Sequence, residues 1–138
     1  MKILPLVGLF ALLLSPLQAE EQENVSVKQL LSTTRTASGQ PISFPQKEAQ
    51  VVASFYEVMP GVALPAHKHP YPRYGYVLAG TLRVTNIDTG QTDTYQRGGF
   101  IVESVGEWHT GTSIGDEPLK LLVIDVVEKG RTNVVSEK

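Results

Sequence analysis

The residues best equipped for chemistry are three histidines. His67 and His69 stand one residue apart in "GVALPAHKHPYPRYGYVLAG", residues 61–80, and His109 follows forty residues later in "GEWHTG". In an extended segment residues i and i+2 project from the same face. His67 and His69 therefore aim two imidazoles at one point, while Lys68 between them faces away into solvent. Three imidazoles without a carboxylate suit Zn, Cu, Fe or Ni better than Mg or Ca, which prefer oxygen. Three protein ligands also leave coordination positions open for water or a substrate. The plainer alternative is a polar pocket lined by histidines that hold no ion. The chain has no cysteine, so neither a thiolate ligand nor a disulfide frame is available.

Two further residues are candidates for catalysis, Arg73 and Glu103. A guanidinium has no lone pair to give a metal and stays charged at any working pH. Arg73 therefore has two options. It can turn away to a carboxylate such as Glu103 as a structural ion pair, or its planar fork can clamp a carboxylate-bearing ligand that also reaches the metal. Glu103 could point inward as a fourth ligand or general base, but an exposed carboxylate on a strand is the default. Trp108 could cap a pocket beside His109, with ordinary packing as the alternative. Tyr71, Tyr74 and Tyr76 offer phenols. On strand parity Tyr74 and Tyr76 share a face with Leu78, opposite Arg73 and Gly75, so packing is their default and Gly75 would leave room inside. Asp125 sits in an apolar run and needs a partner if buried.

The elements that carry these residues read as β almost throughout. "QVVASFYEV", "YGYVL", "TLRVTNI", "FIVESV" and "LKLLVIDVV" are rich in β-branched and aromatic residues, and Gly, Pro and Asp punctuate them. Seven or so short strands of this kind predict an all-β sandwich or barrel. A helical turn near Lys28 to Leu31 is the one exception expected. "LLVIDVV" is apolar on both faces, so it lies either at the centre of two packed layers or under a second subunit. A homodimer follows from the second option.

The two histidine blocks have a further regularity. Gly61, five residues, His67, Lys68, His69, three residues, Arg73, six residues and Gly80 form the first. Gly98, five residues, Ser104, Val105, Gly106, two residues, His109, three residues and Ser113 form the second. These resemble the paired motifs of the cupin superfamily, with Arg73, Ser104 and Ser113 in place of the family's Glu, Pro and Asn. The resemblance spans roughly residues 41–130. It implies a single-domain jelly-roll, or double-stranded β-helix, barrel in which His67, His69 and His109 converge on a divalent metal such as Fe, Zn, Cu, Ni or Mn. Cupins host many activities on one scaffold. The function expected is a metal-dependent, dioxygenase-like oxidoreductase acting on a small, anionic organic molecule. The alternative is a non-catalytic barrel that binds or senses a small ligand or metal.

Around this barrel the chain divides simply. Residues 1–19 carry Lys2, an apolar run from Ile3 to Leu14 and a short polar end at Ala19, the pattern of a secretory signal peptide. Export to the periplasm or the medium is expected, with no membrane association after cleavage. Residues 20–40 form an N-terminal arm, 41–130 the barrel and 131–138 a C-terminal tail. A formal net charge of −2 with scattered basic residues offers no electrostatic footprint for nucleic acid.

Overall fold

The computed structural model describes residues 24–137; the expected signal peptide lies outside them. Nine strands follow in order: β1 (Ala49–Val58), β2 (His67–Lys68), β3 (Arg73–Ala79), β4 (Thr81–Asn86), β5 (Thr92–Gln96), β6 (Phe100–Val102), β7 (His109–Ile114), β8 (Leu119–Glu128) and β9 (Val135–Ser136). They form two antiparallel sheets, β1-β8-β3-β6 and β5-β4-β7-β2-β9. This is the all-β barrel that the sequence predicts. The described residues contain no helix, and Lys28 to Leu31 form no turn: "KQLL" has no cap and only one turn's length, too little to nucleate.

The period-2 pattern decides which side chains fill the barrel. On β8, Leu119, Leu121, Val123, Asp125 and Val127 are buried, and the residues between them are partly or fully exposed. On β3, Arg73, Gly75 and Val77 point inward. Val58, Val77, Leu82, Ile101, Leu119, Leu121 and Val123 make one apolar cluster contributed by both sheets. β8 lies between β1 and β3, which accounts for its inner row. Its outer neighbours Leu122 and Ile124 share an apolar hollow with Tyr74, Tyr76, Phe100 and the arm residue Leu30.

Gly80 makes the β3–β4 turn. Its φ is +72°, and a Cβ there would lie 2.8 Å from the Leu119 Cα and the Pro118 carbonyl oxygen, so only glycine fits. Gly75 faces Ile101, whose Cδ1 would stand in ordinary contact, 3.4 Å, with an added Cβ.

Among the described residues, segments on both sides of the barrel sequence close onto it. The turn from Thr36 to Gln40 docks through Ala37 N–H to the Val102 carbonyl, 2.8 Å. Gln40 adds bonds to both backbone groups of Val105, each 2.9 Å. At the other end β9 pairs with β2, so the second sheet extends past Gly130 into the tail.

Candidate metal centre

Register assembles the site. His67 on β2 lies directly opposite His109 on β7, and His69 follows two residues after His67. The Gly106 N–H holds His69 in place by donating to its carbonyl at 2.8 Å. The three rings therefore meet inside the barrel, with centroids 4.6–4.9 Å apart. Their candidate ligand atoms lie within 4.8 Å of one another, close enough for the cluster to hold one metal ion.

Each ring is fixed by its other nitrogen. The Nδ1 atoms of His67, His69 and His109 face the carbonyls of Pro65 (2.7 Å), Asn133 (2.6 Å) and Glu107 (2.9 Å). A carbonyl only accepts, so each Nδ1 carries the hydrogen and each neutral Nε2 is left with a lone pair. The Nε2 atoms of His69 and His109 are 3.2 Å apart.

Glu103 joins them. It lies one residue beyond β6, where strand parity no longer governs its direction, and its side chain turns inward rather than to solvent. Its Oε2 is 3.1 Å from His69 Nε2 and 3.2 Å from His109 Nε2. The three ring nitrogens thus face a common point with acceptors alone, and the Glu103 carboxylate stands beside two of them. Such a set is repulsive unless a cation, a metal ion or protons, sits among it. The donor set fits a divalent transition metal.

Charge tuning follows the same geometry. Burial pushes the Glu103 carboxyl up, but His109 and His69 donate to it once a proton sits on their Nε2 atoms, and with the charge of Arg73 they hold it well below the usual carboxylate range. Burial lowers His109, yet Glu103 and the Glu107 carbonyl outweigh it and raise its value. His67 is lowered, chiefly by burial.

Arg73 does not pair with Glu103. Its Nε and Nη2 donate to the two oxygens of Asp125 at 2.7 and 2.8 Å, both residues being buried. The antiparallel register places Arg73 opposite Asp125, and one contact meets the needs of both. A guanidinium committed to an internal carboxylate is not a free clamp for a substrate carboxylate. Lys68 faces outward, 4.8 Å from the centroid of the Trp108 ring, so Trp108 belongs to the outer surface and not to a pocket mouth.

Two spaces adjoin the cluster. On the side of Glu103 and His109 a cavity of about 20 Å³, roughly one or two waters, is lined by Asn86, Asp93 and Tyr95 and covered by Ala37 and Ser38 of the arm. Burial, with Asp93 and Glu103 nearby, pushes the Tyr95 hydroxyl up to about 12, so it stays a donor. On the side of His67 a cleft of about 130 Å³ is walled by Tyr56, Leu64, Pro65 and Val134, with Arg73 behind. Neither Tyr95 nor Asn133 stands out in the sequence. Tyr95 lies outside both motif blocks, and Asn133 sits in what reads as a tail.

With this geometry in view, the comparisons with known proteins are direct. The cupin-domain family model matches residues 54–125, more than half of the chain. The chain belongs to the cupin domain family. Among solved cupin-fold structures, it is 25% identical to the polyketide cyclase RemF of Streptomyces resistomycificus (TM-score 0.54), covering 67% of this chain and 65% of that one. It is 29% identical to a variant of the Bacillus subtilis oxalate decarboxylase OxdC (TM-score 0.54), covering 62% of this chain but only 23% of that one. The DMSP lyase DddQ of Ruegeria pomeroyi, at 20% identity and TM-score 0.54 over 62% of this chain and 42% of that one, shares the fold. A search of curated proteins finds no match to the sequence.

Proposed function

We propose that this cupin binds one divalent transition metal through His67, His69, His109 and Glu103, and uses it as an oxidoreductase of the dioxygenase kind on a small organic molecule. The observation that carries the metal reading is the convergence of three imidazole nitrogens, with the Glu103 carboxylate against two of them. The enzyme reading rests on the cleft that reaches His67, through which a small molecule with an apolar body can approach the cluster. Two similar proteins above, a cyclase and a decarboxylase, are enzymes by name, which supports catalysis without specifying the reaction. When bound, the metal would supply Lewis acidity and, if Fe or Cu, electron transfer to oxygen. Glu103, held well below the usual carboxylate range, then stays an anionic ligand beside His69 and His109, and Tyr95 offers a hydroxyl that can donate a proton. The Ala37–Ser38 turn keeps bulk water from that side. With Arg73 engaged by Asp125, no observation favours an anionic substrate.

A non-catalytic binder is favoured by one feature: four protein ligands close a site more than three do. Elemental analysis of protein purified without added metal, followed by oxygen-uptake assays, separates the two. Fe or Cu with substrate-dependent oxygen uptake supports the enzyme, whereas Zn without turnover supports the binder.

The chain is further proposed to be exported, with residues 1–19 removed, and to form a homodimer. The outer face of the β1-β8-β3-β6 sheet supports the dimer, because Val51, Phe55 and Leu122 there are 67%, 59% and 38% exposed. Sedimentation of wild type against Phe55→Asp tests it: a dimer dissociated by the substitution is expected, and a wild-type monomer contradicts it.

A further inference from the structure

Asn133 lies outside both histidine blocks and beyond the residues matched to the family, yet it is only 5% exposed and reaches the cluster from behind. Its main-chain carbonyl accepts from His69 Nδ1 at 2.6 Å. Its side chain is committed at both ends: Oδ1 accepts from the Tyr71 N–H at 2.8 Å, and Nδ2 donates to Asp125 Oδ1 and to the Pro72 carbonyl. Asp125 is in turn held by both nitrogens of the Arg73 fork.

We propose that Asn133 is a positioning residue for this centre, and that Arg73, Asp125 and Asn133 form a buried brace setting the tautomer and direction of His69. The three imidazoles differ in how their tautomers are fixed. His67 and His109 each donate to a carbonyl two residues earlier in their own segment, so local backbone suffices. His69 depends on an acceptor 64 residues away, which is in place only when the C-terminal segment is docked. Without that acceptor the ring gains the Nε2–H tautomer and freedom to rotate, and Nε2 no longer presents a lone pair to the cluster. The brace also gives Arg73 a role that its chemistry allows. The residue in the family's carboxylate position supports a ligand through two intermediaries instead of being one.

The test uses Asn133→Ala, which keeps the carbonyl but removes the anchors that hold it. Asn133→Asp serves beside it, keeping the shape and the acceptor for Tyr71 while setting a carboxylate against Asp125. Exposed Glu137→Gln is the control. Long-range ¹H–¹⁵N NMR of metal-free protein at pH 8 reads the His69 tautomer directly. Wild type and Glu137→Gln should show Nδ1–H alone, and both Asn133 variants a mixture. Zinc affinity, measured by chelator competition, should fall about 10- to 100-fold in the Asn133 variants and stay unchanged in the control. The zinc arm rests on the proposed metal site, whereas the tautomer arm does not. Were wild type to bind no zinc, the metal reading would fail and the tautomer alone would judge the brace. Wild-type zinc affinity, or an unchanged His69 tautomer, in both Asn133 variants would overturn the inference.

Discussion

The barrel interior has two halves built by the same alternation and held together by opposite physics. In one, Val58, Val77, Leu82, Leu119, Leu121 and Val123 exclude water, and burial itself stabilises. In the other, His67, His69, His109, Arg73, Asp125 and Asn133 are buried polar groups, with Glu103 partly buried beside them, and such groups cost stability unless each finds a partner. Two strands cross the boundary. The inward row of β8 changes from Val123 to Asp125, and that of β3 from Val77, past Gly75, to Arg73. The polar half meets its hydrogen-bonding needs nearly everywhere, and the place where acceptor meets acceptor is the cluster. A cation or donating water would balance that point, and this is why the metal site is proposed there.

Substitutions in the two halves should fail differently. The largest stability loss is expected from Asp125→Ala, which leaves Arg73 charged and buried without its partner. The cost should be about 3–5 kcal/mol, read from urea unfolding. Replacing both members, as Arg73→Met with Asp125→Leu, should recover much of that stability, yet still weaken the metal site through loss of the brace. Leu121→Ala, in the apolar half, should cost about 2–5 kcal/mol and leave the metal content per folded chain unchanged. If Leu121→Ala emptied the site, the halves would not be separable.

These contrasts also mark what the sequence could reveal. The histidines were legible because one spacing, i and i+2, fixes a common face, and because the two blocks carry cupin spacing. Inward Arg73 followed from parity against Tyr74 and Tyr76. The need of Asp125 for a partner was visible as well, but not its identity, since the two residues are 52 positions apart and only the β3–β8 register joins them. Glu103 was undecidable because β6 ends at Val102, and parity stops where the strand stops. Asn133 left no trace, because a single amide in a short tail carries no periodicity.

A smaller effect concerns pH. Imidazoles bind metal when neutral, so protons compete with the ion. Glu103 raises His109, so competition should begin above about 6.5, the ordinary histidine value. Metal affinity measured at pH 8, 7 and 6 should therefore already fall between the first two. The metal-free barrel should respond in the opposite sense. A raised folded-state value means that His109 contributes stability below the ordinary histidine range and loses it as pH rises through the raised one. Glu103→Gln should flatten both trends.

The central claim is that the acceptor cluster is a metal site, and metal stoichiometry tests it most directly. Wild type and the His67→Ala/His69→Ala double variant, purified without added metal and then equilibrated with one divalent ion, are compared by elemental analysis, with circular dichroism reporting the fold. The account predicts about one ion per wild-type chain and none in the double variant, both retaining the same β spectrum. Full metal content in the double variant, or a wild-type protein that takes up no transition metal, would contradict it.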